Sequence, residues 1–265
     1  MNLIDWRHWH NEPYLIGGLL ILAWAYAVIT GPLRNKFTQD TSPLGWRAWS
    51  YYTSLVLFYL AVGSPFDQLG ERFLFSAHMA QHVVLIYPCA ILWLIGLPPW
   101  LVDSLGDRPI IGPVGWFFTR PVVAGIIYVM VQSVWHIPAL YDLALQDRFV
   151  HVTEHITFFG SALLFWHPVL GQSKRWPTLK YGGQMLYLFA VAVGLTPLFV
   201  AVTFSSEVLY PTYEFAPRII ENFSPMDDQL LAGAIMKLSN VLVTFLAFCY
   251  VFLRWYRQSE AKNPA

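Results

Sequence analysis

The sequence predicts an all-α integral membrane protein, a seven-transmembrane-helix bundle with its N-terminus outside and its C-terminus in the cytoplasm. Composition is the first observation behind this class. Of the 265 residues, 56% are hydrophobic and only 12% are charged, and the mean hydropathy is +0.47. Soluble domains carry about 25% charged residues, so a soluble fold of this composition would expose large apolar patches. The second observation is that the apolar residues form long runs.

Seven of these runs have the length of a membrane span, which needs about 20 mainly apolar residues to cross a hydrocarbon core of about 30 Å. They are residues 13–31, 46–63, 73–96, 120–138, 149–170, 183–204 and 228–254. Pro88 and Pro197 lie inside the third and sixth runs and predict kinks there. The sequence shows no internal repeat, so we expect residues 1–265 to form one membrane domain. Because the first twelve residues lack a basic region, no cleaved signal peptide is expected.

The distribution of basic residues predicts the orientation of the bundle. Eleven Lys and Arg residues lie on the side reached after spans 1, 3, 5 and 7, and four lie on the opposite side, which places the richer side in the cytoplasm. At a rise of 1.5 Å per residue, ionisable residues of four spans then fall within the outer half of the membrane. Ionisable residues inside a membrane are costly and mark functional sites, so a shared depth predicts one such site.

Two pairs of histidines form the centre of this predicted site. The segments "HMAQH" and "HVTEH" each place two histidines four residues apart. Side chains at this spacing share one face of a helix, so each pair can grip one metal ion. Imidazole and carboxylate ligands favour copper or zinc over magnesium or calcium. The candidate metal ligands are His78, His82, His136, His151, His155 and Asp228.

Other residues in the same layer are expected to play secondary roles. Met79 and Met236 are candidate soft ligands for copper, although methionine in apolar helices more often packs. Glu154 is expected to orient an imidazole from outside the ligand set or to serve as a helix-start charge. His8 and His10 precede the first span; we expect them to be solvated, with contact to a metal in transit as the alternative.

Three segments, "SAHMAQHVVLIYP", "VWHIPALYDLALQDRFVHVTEHITFFGSALLFWHPVL" and "DDQLLAGAIM", resemble in the same order the multispanning CtaG family of cytochrome c oxidase assembly proteins. The family pattern carries over onto His78, Gln81, His82, Trp135, His136, Pro138, Tyr141, His151, Glu154, His155, Asp228, Gln229, Ala232, Gly233 and Met236. The sequence departs from the family at Leu230 and Lys237, where a second glutamine and a tryptophan are common. Lys237 is expected to pair with a buried carboxylate.

The resemblance implies a role in forming the copper-containing core of the oxidase. The protein would bind copper in the outer half of the membrane and help to deliver it to the CuB centre, with zinc as the alternative metal. Gln81, as part of the first motif, joins Glu154 as a residue expected beside the ligands. The implied partners are haem-copper oxidase subunit I, a copper donor and membrane lipid. The implied location is the bacterial inner membrane, as a multi-pass protein without enzymatic activity.

Other functions are compatible with parts of the sequence. The segment "HVTEH" matches H-x-x-E-H, the inverted zinc-peptidase signature, so an intramembrane zinc-dependent hydrolase is the main alternative, although it gives the second histidine pair no role. A membrane haem protein and a metal permease are further alternatives. A permease needs polar groups through the inner half of the membrane, where only His167 and Lys237 are candidates. The formal net charge is zero, so no nucleic-acid partner is expected.

Overall fold

The computed structural model describes residues 5–7, 9–176 and 178–262, and over these residues the regular structure is helical. The helices, in chain order, are α1 Pro13–Thr30, α2 Trp46–Gly63, α3 Pro65–Arg72, α4 Phe75–Val84, α5 Ala90–Gly96, α6 Pro99–Gly106, α7 Ile111–Phe118, α8 Pro121–Trp135, α9 Pro138–Gln146, α10 Arg148–Leu170, α11 Tyr181–Gly194, α12 Thr196–Thr203, α13 Pro211–Glu214 and α14 Pro225–Lys262. A 3₁₀ turn, Arg34–Lys36, follows α1, and a π-helical turn, Leu85–Cys89, joins α4 to α5.

The all-α class is confirmed, and several helices have the character of membrane spans. Within the described residues, four helices are long and apolar enough to cross a membrane: Pro13–Thr30, Phe75–Gly96, Tyr181–Thr203 and Pro225–Ala261. A fifth span results if α7 and α8, which meet at an angle of 71°, are counted as one broken span. The predicted spans 46–63 and 149–170 coincide with α2 and α10, which fall short of this test. The count of seven and the orientation therefore remain predictions.

The outer faces of the long helices are apolar. Ile21 and Trp24 on α1 are 65% and 67% exposed, and Leu238 and Phe245 on α14 are 67% and 61% exposed. Large apolar side chains in such numbers on a helical surface are unfavourable in water but favourable against lipid tails. This surface supports the assignment to a membrane.

The proline predicted to kink the third span lies in the π-helical turn between α4 and α5. Pro88 cannot donate a backbone hydrogen bond, so carbonyl groups near it need other donors. The indole Nε1 of Trp166 donates to the carbonyl of Ile86 at 3.0 Å, and the hydroxyl of Ser54 donates to the carbonyl of Cys89 at 2.9 Å. Side chains of α10 and α2 thus donate hydrogen bonds to carbonyl groups on either side of Pro88 and tie this turn to the neighbouring helices.

The N-terminus of α4 is fixed by a buried carboxylate on α14. The backbone N–H groups of Phe75 and Ser76 donate to the two oxygens of Asp228 at 2.7 and 3.0 Å, and Asp228 is fully buried. The sequence predicts Asp228 as a metal ligand. Both of its oxygens accept backbone hydrogen bonds and serve as the cap that an α-helix N-terminus needs, and Asp228 lies outside both groups of potential metal ligands found among the described residues.

The helix α4 is also tied to the segments that precede it. The side chain of Gln81 donates to the carbonyl of Ala61 at 2.7 Å and to the carboxylate of Asp67. The hydroxyl of Tyr213 donates to the carbonyl of Gly70 at 2.8 Å. Gln81, expected beside the metal ligands, therefore links α4 to the end of α2 and to α3. The contacts of Gln81 thus anchor α4 to α2 and α3, and the contact of Tyr213 anchors α3.

A substitution at Gly96 tests how closely α5 packs on α2. A Cβ atom at Gly96 would lie 2.7 Å from the backbone nitrogen of Tyr51, a contact that backbone cannot relieve easily. We expect Gly96→Ala to push the helices apart and to lower the free energy of unfolding in detergent by about 1–3 kcal/mol. Gly160→Ala is the control, since a Cβ there meets no atom within 4 Å. Equal stabilities of the two variants would contradict the packing.

A substitution at Asp228 tests whether its carboxylate caps the N-terminus of α4. In Asp228→Asn the amide can accept one hydrogen bond but presents its NH₂ group to the other backbone N–H. We expect the free energy of unfolding to fall by about 1–3 kcal/mol, the cost of a buried unsatisfied donor. The matched control is Asp227→Asn, whose exposed carboxylate contacts Ser224 beside it. A stability loss in Asp227→Asn as large as that in Asp228→Asn would contradict the buried cap.

Candidate metal centre

The two histidine pairs predicted from the sequence face each other in the structure. His78 and His82 lie one turn apart on α4, with ring centroids 4.3 Å apart, and His151 and His155 have the same separation on α10. Across the gap between the helices, the ring of His155 lies 5.4 Å from that of His82 and 6.1 Å from that of His78. The spacing predicted to place each pair on one face therefore brings four imidazoles together.

Four residues offer ligand atoms that all lie within 4.8 Å of one another, and we call them the inner group: His78, His82, Glu154 and His155. All four are buried, with between 0% and 6% of their surface exposed. The carboxylate oxygen Oε1 of Glu154 lies 3.9 Å from Nε2 of His78 and 3.9 Å from Nε2 of His82. Glu154, expected outside the ligand set, thus lies among the potential ligand atoms.

The atoms of the inner group lack hydrogen-bond partners among the described residues. This holds for both ring nitrogens of His78 and His82, for Nε2 of His155 and for both carboxylate oxygens of Glu154. Buried polar atoms are normally hydrogen-bonded, and leaving them unpaired is costly. Donors that bind one zinc ion at about 2.0–2.1 Å lie no more than about 4 Å apart. The group therefore has the donor set and nearly the spacing of a metal site.

His151 borders the inner group and connects it to α3. Its Nε2 atom lies 4.0 Å from Oε2 of Glu154, and its Nδ1 atom lies 2.7 Å from Oε1 of Glu71. A carboxylate on one ring nitrogen is the usual device for orienting a metal-binding imidazole. Glu71 was not identified from the sequence, although it and Asp67 stand four residues apart on one helix and form a recognisable carboxylate pair.

Electrostatics distinguish the two carboxylates of α3, which lies between the second and third predicted spans. Burial, together with the charge of Glu71, raises the pKa of Asp67 well above its usual range. Burial acts in the same direction on Glu71, but the hydrogen bond and the charge of His151 outweigh it, so the pKa of Glu71 is lowered. Glu71 faces the imidazole of His151, which offsets the effect of burial on its carboxylate.

The remaining predicted ligands lie next to the inner group. His136 Nδ1 lies 2.6 Å from the carbonyl of Gln132, which can only accept, so Nδ1 carries the proton and Nε2 presents its lone pair. That Nε2 atom lies 3.4 Å from the sulfur of Met79. A cavity of about 20 Å³ beside them is lined by His82, His136, Met79 and Met236 among others. His136 and the two methionines thus form an adjoining chamber with soft donor atoms.

Three other predictions concern residues outside this region. Lys237, expected to pair with a carboxylate, instead donates to the hydroxyl of Thr196 at 3.1 Å and lies 5.6 Å from the ring centroid of Phe199. His10, expected to be solvated, has its Nδ1 atom 3.1 Å from the carboxylate of Asp67. His8 lies outside the described residues.

The chain is similar to several mycobacterial proteins. Uncharacterized proteins of Mycobacterium bovis and Mycobacterium tuberculosis are each 23% identical to it over 267 residues, and one of Mycobacterium leprae is 22% identical. The alignments cover 95% of this chain but only 40% of each relative, so the chain spans well under half the length of these relatives. No solved structure matches the chain.

A match to a family model agrees with the family that the motifs of this chain resemble. The model described as cytochrome c oxidase caa3 assembly factor matches residues 24–258, a range that contains both histidine pairs and the adjoining His136. Since this match covers nearly the whole chain, the chain belongs to the family of cytochrome c oxidase caa3 assembly factors, as the resemblance of its motifs predicts.

Proposed function

We propose that this assembly factor binds copper at the inner group in the outer half of the membrane and helps to deliver it to the CuB centre of a haem-copper oxidase. The observation that carries the proposal is the convergence of three imidazoles and one carboxylate, all buried and without hydrogen-bond partners among the described residues. A cation between them binds one nitrogen of each imidazole together with the carboxylate, which no single hydrogen bond in the surroundings does.

The neighbouring donor atoms favour copper over zinc. Zinc is satisfied by imidazole and carboxylate ligands, whereas thioether sulfur is a soft ligand that selects copper. The thioether of Met79 lies 3.4 Å from the unprotonated nitrogen of His136, and Met236 lines the same small chamber. A copper ion at the inner group therefore has further imidazole and thioether donors within the adjoining chamber.

Delivery by ligand exchange fits the membrane arrangement proposed for the chain. We place the whole chain in a single membrane domain of seven spans in the bacterial inner membrane, with the N-terminus outside. The inner group then lies in the outer half of the membrane. The family relationship implies that the imidazole ligands of CuB lie at the same depth. Copper can pass sideways to oxidase subunit I from imidazole to imidazole without contact with bulk water. A separate copper donor would load the protein.

We assign the protein no enzymatic activity. In the alternative zinc hydrolase, Glu154 would stand back from the metal and activate a water molecule. Its carboxylate is instead equidistant, at 3.9 Å, from nitrogens of His78 and His82. This position suits a ligand. Hydrolysis of a membrane substrate that is lost in Glu154→Gln would favour the hydrolase.

Metal content tests the inner group directly. We expect the detergent-purified protein to contain copper without haem. We expect His78→Ala and His155→Ala each to weaken copper binding by at least about tenfold. Each variant loses a metal ligand, and even the loss of a residue that only contacts a ligand typically lowers metal affinity 10–100-fold. Elemental analysis and absorption and EPR spectroscopy measure the bound metal. If the purified protein contains zinc and no copper, zinc replaces copper as the proposed metal.

His167→Ala is the matched control for these variants. His167 is also buried and has no hydrogen-bond partner for either ring nitrogen among the described residues, but it belongs to neither group of potential metal ligands found there. We expect this variant to keep its copper. Equal copper loss in all three variants would mean that the loss reflects general damage, and full retention in His78→Ala and His155→Ala would refute the proposed site.

Oxidase assembly tests delivery. In cells whose own copy is deleted, we expect His78→Ala and His155→Ala to restore much less oxidase activity than the wild type, because the oxidase lacks CuB, while its haem content stays closer to normal. Oxygen consumption and the copper-to-haem ratio of the purified oxidase measure this, with His167→Ala again as the control. Normal copper in an oxidase assembled with either variant would rule out delivery from the inner group.

A further inference from the structure

A cleft of about 410 Å³ reaches from the edge of the bundle to the inner group. His155 and His151 line one part of it, and His10, Asp67 and Glu71 line another, while apolar side chains of α1, α2 and α10 form much of the remaining wall. The cleft is therefore mainly apolar, and these histidines and carboxylates belong to its smaller polar part. It joins the histidines of α10 to the region where the chain enters α1.

His10, Asp67 and Glu71, which we call the outer group, offer ligand atoms within 4.8 Å of one another. The Nδ1 atom of His10 lies 3.1 Å from Oδ2 of Asp67, and Asp67 is only 2% exposed. The surroundings fix the group in place, because Gln81 holds Asp67 and the backbone N–H of His10 donates to the carbonyl of Gly63 at 2.8 Å. The imidazole of His10 and the carboxylate of Asp67 are therefore fixed in position, and His151 contacts the carboxylate of Glu71.

His151 connects the outer group to the inner group. One of its nitrogens lies 2.7 Å from Glu71 of the outer group, and the other lies 4.0 Å from Glu154 of the inner group. The second nitrogen has no hydrogen-bond partner among the described residues, and His151 is 8% exposed. A buried and unpartnered nitrogen thus stands on the path between the two groups. An ion leaving Glu71 can take His151 as its next ligand.

We propose that the outer group is a second metal site, which takes up a divalent first-row transition ion at the mouth of the cleft and passes it to the inner group past His151. One imidazole and two carboxylates suit divalent copper or zinc and lack the sulfur ligands that select monovalent copper. Transfer is ligand exchange alone, so the ion keeps its oxidation state. Binding at the outer group stands independently, whereas onward transfer rests on the proposed function of the inner group.

The test is titration of the metal-free, full-length protein in detergent with Cu²⁺, followed by EPR spectroscopy. We expect the wild type to bind two equivalents of Cu²⁺. The EPR signal of one should show coupling to a single nitrogen, and the signal of the other should show coupling to several nitrogens. His10→Ala and Asp67→Asn should lose the single-nitrogen signal and keep the other, and the double variant His78→Ala/His155→Ala should do the reverse. Asp67→Asn preserves the oxygen that Gln81 contacts, so it separates ligand loss from local unfolding.

Glu12→Gln is the matched control. Glu12 lines the same cleft and pairs with Arg148 but is outside the outer group, so this variant should bind two equivalents. A second equivalent that survives in His10→Ala and Asp67→Asn, or a wild type that binds only the several-nitrogen equivalent, would overturn the outer site and leave the proposed function intact. A wild type with only the single-nitrogen equivalent would support the outer site and overturn the inner one. No binding at all would overturn both.

Uptake is tested by the rate at which the several-nitrogen signal appears after mixing with Cu²⁺. If the ion passes through the outer group, that signal forms more slowly in His10→Ala than in the wild type or in Glu12→Gln. Equal rates in the three proteins would show that the inner group loads by another path, and would overturn the uptake role.

Discussion

Burial of polar atoms without hydrogen-bond partners is the constraint on which the rest of the structure depends. Moving an imidazole or a carboxylate out of water costs several kcal/mol unless a partner replaces the lost hydration. The inner group contains four such residues within one small volume, with no hydrogen bond to most of their nitrogen and oxygen atoms from the described residues. A shared cation offsets this cost for all of them at once. The proposed copper ion therefore accounts for the burial of side chains that would otherwise be unfavourable inside the protein.

The surrounding contacts keep the ligands in position when the ion is absent. Asp228 caps the helix that carries His78 and His82, and Gln81 ties the same helix to its neighbours. Because these hydrogen bonds do not involve the imidazoles, they leave the ring nitrogens free for the proposed metal. Flexible ligands would collapse onto one another or onto nearby carbonyls once the ion had left. A site that must release its ion and accept another benefits from rigid ligands.

Local spacing was sufficient to predict the part of the site that lies on single helices. The four-residue spacing of His78 and His82 fixes their common face, and the structure brings it against the equivalent face of α10. Contacts between distant segments could not be predicted in this way. The role of Asp228 depends on where the start of α4 lies relative to α14, and the contact between His10 and Asp67 joins segments far apart in the chain. The all-α class followed from composition, whereas the span count requires knowledge of how α2 and α10, which are less apolar than the four long helices, lie in the bundle.

The donor atoms change in character along the path proposed for the ion. The outer group presents two carboxylates and one imidazole, the inner group presents one carboxylate and three imidazoles, and the adjoining chamber presents His136 with the thioethers of Met79 and Met236. Carboxylates suit hard cations, imidazoles suit copper and zinc, and thioethers suit soft copper. Each successive group therefore offers a metal ion softer donor atoms than the one before. The order of the three groups thus follows the softness of their donor atoms, from carboxylate through imidazole to thioether.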